Sequence, residues 1–520
     1  MDFSRKSRKI YEVCRDHRSY FLSFSLIFLP MGSPFNLLLL LFMTVLAIPG
    51  FSQDRQIEEK IFSYYDDYKE NSLAQRRIKY EDIHPLIKEI SGTPGFQVQK
   101  VGESIEGRDL NLISIGSGKI NVLLWSQMHG DESTATMALF DVFNFLKDDS
   151  FRKEKEKLLR EVTLHFLPML NPDGAQVFQR RNALGIDINR DALQLQSPEG
   201  KVLKRIRDSL EADFGFNLHD QSKYYNTSGS GNPAAISFLA PAFDKEKSIN
   251  KVRENAMKVI LIMNRMLQDN IPGFVGRYND EFEPRAFGDN IQKWGTSAIL
   301  IESGGFPEDP EKQEIRKMNF LAILSGLFAI ADGSYEGELV KDYEKIPQND
   351  SKMFDLKLTG LTYKLLEKTF IIDFGINHLE VQDKTAPNGF FIKGTIADQG
   401  DLSTGFGYTT KDLSGYFMEP GKVFPKTQST LEDLENLDLD SLLKQGYLFF
   451  KVRQGKGGGF TKIPVVVVGE NFEVPQRFVP GSNATFLIKK DGKVEFALIN
   501  GFWRDFSSVG TGGKNGLILK

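Results

Sequence analysis

The sequence predicts an α/β fold with a mixed, mostly parallel central sheet flanked by helices, followed by a smaller β-rich domain. Three observations carry this expectation. Near-continuous apolar runs of strand length recur between residues 110 and 303, as in strands covered on both faces. Helical patterns fall between them, and strands alternating with helices argue for layered α/β architecture. Beyond about residue 350 the style changes to short strands and glycine-rich turns, such as NGFFIKGTI, KIPVVVVGE and RQGKGGGF.

The first 52 residues stand apart, with six Lys/Arg against three Asp/Glu. Their apolar run, Phe35 to Ile48, spans 14 residues, whereas a membrane span needs about 20. It fits the apolar region of a signal peptide, with Gly50-Phe51-Ser52 offering cleavage before Gln53. A start at Met31 leaves no Lys or Arg ahead of that run, whereas Met1 supplies Arg5, Lys6, Arg8 and Lys9. Residues 1–52 are therefore expected to be a leader, cleaved on export or kept as an anchor. If it is cleaved, no membrane span is expected in the rest of the chain.

Residues 53–340 read as the main domain. A charged, helix-like stretch over 54–95 breaks at Gly92-Thr93-Pro94-Gly95, a turn signal. The expected strands are 110–117, 120–128, 162–170, 214–219, 235–241 and 297–303. Helical patterns cover 133–149, 201–214, 247–270 and about 308–331. LNPDG (170–174) reads as a tight turn after a strand. Residues 350–520 read as a β-rich accessory domain with one helical insert near 430–445.

Composition narrows the function. A chain of 520 residues exceeds one ordinary domain. Its 41% hydrophobic and 26% charged residues are those of a globular protein. Net charge is −4 and no basic tract stands out beyond the leader, so nothing favours nucleic acid. The single cysteine, Cys14, lies in the leader. The chain after it has no disulfide, thiolate zinc site or cysteine nucleophile.

The chemistry starts at SQMHGDESTATMALF, 126–140. His129 and Glu132 sit where a buried strand ends and a helix begins, and active-site residues of open α/β sheets gather at such ends. The pair can point at one ion, although a polar turn is the commoner fate of His-x-x-Glu. His219 ends a second strand, FGFNLH, and is the third candidate ligand. A catalytic zinc needs about three protein ligands and an open position for water. His165 lies inside an apolar strand and reads as a core residue. Glu302 ends the strand SAILIES, where a carboxylate is either a salt-bridged structural residue or a base beside an ion. Arg190 follows Asn189 in RRNALGIDINRDA. A guanidinium grips a carboxylate through paired hydrogen bonds, which suits a peptide's free C-terminus, while a surface loop arginine is the plainer alternative.

Taken together, HGDE (129–132), LNPDG (170–174), GIDINRD (185–191), LHD (218–220) and IESGG (301–305), in that order, resemble the zinc carboxypeptidases, the M14 metallocarboxypeptidases, over about 75–333. The resemblance implies one Zn²⁺ per chain on His129, Glu132 and His219. It implies Glu302 as general base and then proton donor to the leaving amine. It implies Asn189 and Arg190 as the grip on a substrate's terminal carboxylate. Arg181, or else its neighbour Arg180, would polarise the scissile carbonyl, with Arg181 the preferred assignment. Tyr278 matches the family's mobile tyrosine. Asn-Arg-Asp stands where many members have Asn-Arg-Asn, and Glu132 to His219 is a shorter interval than in digestive members. The expected function is that of an exported (periplasmic, cell-surface or secreted) zinc carboxypeptidase acting on peptides with a free C-terminal carboxylate. Two rivals share the scaffold: a hydrolase of cell-wall stem peptides or another amide, and a non-catalytic peptide-binding protein.

Overall fold

The computed structural model describes residues 57–384, 386, 388–453, 458–507 and 515–519. The leader expected over 1–52 lies outside the described residues, and the fold below is that of the compact unit Lys60–Lys520. Among the described residues no helix is long and apolar enough to cross a membrane.

The strands of the first part, in chain order, are β1 (Gln97–Glu103), β2 (Asp109–Gly116), β3 (Ile120–Ser126), β4 (Val162–Leu167), β5 (Phe214–Asp220), β6 (Asn226–Thr227), β7 (Ile236–Leu239), β8 (Val275–Arg277) and β9 (Ser297–Ser303). All but β6 join an eight-stranded sheet ordered β1-β2-β4-β3-β5-β9-β7-β8. Its centre, β4-β3-β5-β9, is parallel. β1 and β2 are antiparallel additions at one edge, and β7 runs antiparallel to β9. The central strands are mostly apolar because helices cover both faces. Val122 through Trp125 are fully buried, as are Phe216 and Ile301.

Two of the covering helices begin at side-chain caps. In helix Pro198–Leu210, Ser197 accepts the Gly200 N–H and proline takes the first position. In Lys251–Asn270, Asn250 accepts the Arg253 N–H. Thr134–Lys147 and Gln313–Asp332 are buried on nearly every side, so they read as apolar rather than striped.

Three elements differ from expectation for physical reasons. β1, QVQKVGE, is a mostly solvated edge with a single buried residue, so it lacks the apolar signal. Helix Arg152–Glu161 buries only Lys155 and Leu158, too few for a stripe. The turn expected at LNPDG is a short helix, Pro172–Gln176, capped by Asn171 accepting the Gly174 N–H.

The later strands begin with β10 (Asn349–Asp350), β11 (Met353–Leu365), β12 (Lys368–Gln382) and β13 (Phe390–Gly400). β10 pairs with β6. β11, β12 and β13 enter a second eight-stranded sheet with strands 406–412, 417–419, 486–490, 493–499 and 502–505. A five-stranded sheet follows, and helices Glu432–Glu435 and Leu439–Lys444 form the insert expected near 430–445.

Candidate metal centre

The parallel strands deliver the site at their carboxyl ends. β3 stops at Ser126, and Gln127 takes a left-handed φ of 51°. The Gln127 side chain donates to the Gly130 carbonyl at 2.9 Å. The Glu132 N–H returns to the His129 carbonyl at 3.1 Å, so one turn brings both side chains to the same point. His219 and Glu302 are register partners on β5 and β9, so they stand side by side. Gly130 does not use its turning freedom. A Cβ there would coincide with the backbone of Gly174 and Ala175, so the requirement is close approach of the Pro172–Gln176 helix.

The donors converge. His129 Nδ1 lies 2.7 Å from Glu132 Oε1, and His219 Nδ1 lies 2.7 Å from Glu132 Oε2. The rings are 4.9 Å apart, and one potential ligand atom from each of the three residues lies within 4.8 Å of the others. All three are buried. His129 Nε2 is backed by Asp187 Oδ1 at 3.1 Å, a carboxylate partner that fixes the orientation of a metal-ligating imidazole. Asp131 Oδ1, beside Glu132 in the chain, is buried without a hydrogen-bond partner.

The electrostatics fit a cation. Burial alone would raise the Glu132 carboxyl, but His129 and His219 hold it well below the usual range. Burial opposes charge on His129 too, yet Glu132 and Asp187 push its pKa up to about 9. His219 is lowered, by burial against the pull of Glu132. Glu302 is pushed well above the ordinary carboxyl value, by burial first and the Glu132 charge second. Its Oε2 is buried without a hydrogen-bond partner, as is His219 Nε2. Three ligand atoms of the types zinc takes, surrounded by excess carboxylate, suit a divalent ion.

The arginine differs from the preferred assignment. Arg181 is exposed, and its guanidinium donates to the Gly185 carbonyl at 3.0 Å. Arg180 faces the cluster. Its Nε donates to Asp187 Oδ2 at 3.0 Å, and its Nη1 lies 3.3 Å from Glu132 Oε1. The loop between Gln176 and Asn182 decides which of the two neighbours faces inward, and Phe178 in it has a φ of 49°. Asp187 was not singled out from the sequence, although it sits inside GIDINRD. Its signal was position, two residues ahead of Asn189. It also caps the turn Ile188–Arg190 by accepting the Asn189 N–H.

Asn189 Oδ1 accepts the Phe287 N–H at 2.9 Å. Arg190 is exposed at the rim. Its Nη1 donates to the Asn189 carbonyl at 2.7 Å and its Nε lies 3.5 Å from Glu283. The Tyr278 phenol is raised by burial and then by Glu302, and its ring meets Tyr225 edge-on at 6.0 Å. His165 is a core residue as expected, with Nδ1 2.8 Å from Ser114 Oγ and Nε2 3.3 Å from Asn121 Oδ1.

Comparison with known proteins points the same way. Residues 86–228 match the family model described as zinc carboxypeptidase. Carboxypeptidase SOL1 of Arabidopsis thaliana is 29% identical over 161 residues, covering 25% of this chain and 33% of that protein. The human carboxypeptidase N catalytic chain is 28% identical over 140 residues, covering 22% and 30%. The chain thus spans about a third of the length of these curated relatives. A metallo-carboxypeptidase structure from Burkholderia cenocepacia aligns over 49% of this chain and 69% of that one, at 18% identity and a TM-score of 0.41.

Proposed function

We propose, from the zinc carboxypeptidase segment that this chain carries at 86–228, that the protein removes C-terminal residues from peptides. In this reading residues 53–340 are the catalytic domain, 350–520 an accessory domain, and 1–52 a leader for export. The observation that carries the reading is the buried His129–Glu132–His219 triad with the unpartnered Glu302 carboxylate oxygen beside it.

His129, Glu132 and His219 would hold one zinc ion. Bound there, zinc supplies Lewis acidity to a carbonyl and makes water a stronger acid. Glu302 takes a proton from the attacking water at Oε2 and passes it to the leaving amine. A carboxyl raised by burial suits that exchange, because its pKa moves toward the working pH. Arg180 donates to the oxygen of the scissile carbonyl as charge develops on it. Asn189 and Arg190 receive the terminal carboxylate at the rim. Tyr278, near Glu302, closes over the bound residue.

The test uses purified full-length chain and a mixed peptide set, with and without a chelator, read by mass spectrometry. Loss of single C-terminal residues, abolished by the chelator, is expected. Peptides with an amidated C-terminus should survive, since Arg190 then has no carboxylate to grip. Intact peptides in every arm, with metal bound, would overturn the reading.

A further inference from the structure

The loop that carries Arg180 is held in part by a residue 204 positions further along the chain. Phe178 occupies the left-handed region at φ 49°, a conformation unfavourable for a residue with a Cβ. Such strain persists where surrounding contacts over-determine it. Some of those contacts are local. Phe178 N–H donates to the Ala175 carbonyl at 3.1 Å and Gln179 N–H to the Gly174 carbonyl at 2.9 Å.

The others come from the β12–β13 hairpin. Gln382 Nε2 donates to the carbonyls of Val177 and Phe178 at 3.0 and 2.9 Å. Phe390, the register partner of Gln382, places its ring 3.9 Å from the Arg77 guanidinium. The Phe178 ring lies 4.2 Å from the same guanidinium, so Arg77 is shared between one ring from each part. Stacking of this kind is favourable, the more so when the cation is partly desolvated. Glu380 on β12 pairs with Arg77 at 2.6 Å and also with Arg76. Arg76 in turn accepts a hydrogen bond at its carbonyl from Ser133 Oγ, the residue that follows ligand Glu132.

We infer that the β12–β13 hairpin is a positioning element for the reaction: Gln382, Phe390 and Glu380 fix the Val177–Phe178 turn, and the turn aims Arg180 at the metal cluster. This rests on the proposed function for its kinetic consequence, but the clamp itself does not. Arg180 is two and three residues from the held carbonyls and lies on Asp187 and Glu132. A shift of the turn therefore moves the donor relative to the substrate carbonyl. None of the three hairpin residues is a catalytic residue, because each acts through the loop.

The experiment compares full-length wild type with the double variant Gln382→Ala/Phe390→Ala, Arg180→Ala, and the triple variant. With peptide substrate, the hairpin variant should lose roughly 10- to 100-fold in kcat, the scale of a misplacement near 1 Å. KM and bound zinc should stay within about twofold of wild type, since misaimed transition-state donors act on kcat. Arg180→Ala should lose roughly 100- to 1,000-fold, and adding the hairpin substitutions to it should cost nothing further. Amide hydrogen exchange over residues 177–181 should quicken in the hairpin variant whether or not peptides are cleaved. Unchanged kcat, or a loss that adds to that of Arg180→Ala, overturns the positioning role. Unchanged exchange overturns the clamp. A wild type that cleaves nothing overturns the functional reading, and leaves exchange as the measure of the clamp.

Discussion

Burial pushes Glu302 up and His165 down, and each direction has a measurable consequence. Glu302→Gln keeps the shape and removes the proton acceptor. Zinc content should be unchanged while kcat falls roughly 100- to 10,000-fold, the usual contribution of a general base, checked by metal analysis and kinetics on the same sample. His165 is held at a pKa of about 4 against 6.5 in a free chain, by burial. Between those values the unfolded chain binds a proton that the folded chain refuses. The stability due to His165 is therefore full above pH 6.5 and lost as pH falls from there through 4. His165→Gln, measured by urea melts at several pH values, should flatten the slope between 4 and 6.5. At this scale the sequence was most legible where a titratable residue ended an apolar run, as His129, His219 and Glu302 do. It was least legible for Arg180 and Arg181. Adjacent arginines look alike until the fold fixes how the preceding turn directs them.

Among the elements, the loop between β3 and helix Thr134–Lys147 has little tolerance. Gly130 packs against the backbone of Gly174 and Ala175 with no room for a Cβ, and backbone cannot rotate aside as a side chain can. Gly130→Ala should displace the loop that holds both His129 and Glu132. The expected result is weaker zinc binding and a lower Tm, read by metal titration and thermal melts; wild-type behaviour in both would show that the packing can relax. The buried elements were readable from the sequence because covering on both faces writes an unbroken apolar run, as in INVLLWS and SAILIES. β1 and helix Arg152–Glu161 were not, because most of their side chains meet water. The short helix after Asn171 looked like a turn because five residues carry no period.

At the scale of the whole molecule, the β-rich part is tied to the part that carries the His129–Glu132–His219 cluster by more than chain connectivity. Asp355 on β11 accepts from Lys223 Nζ at 2.6 Å, the Tyr224 hydroxyl at 2.7 Å and the His378 N–H at 2.7 Å. Asp355→Ala removes an acceptor shared by both parts, and the orphaned donors should cost about 1–3 kcal/mol. A urea melt should show that loss; an unshifted midpoint would mean that water replaces the carboxylate at no cost. The sequence showed a change of style near residue 350 but not the contacts across it, since contacts between positions far apart leave no local pattern. Gln382 and Phe178 are 204 residues apart, and that separation acts in time as well as in space. At a synthesis rate of roughly 5–20 residues per second, the ribosome makes Gln382 on the order of 10–40 seconds after Phe178. Once His219 has been made, early in that interval, all three residues of the His129–Glu132–His219 cluster exist in the nascent chain, while the hairpin that braces the Arg180 loop does not. On this timetable the site acquires its ligands early and its aim late.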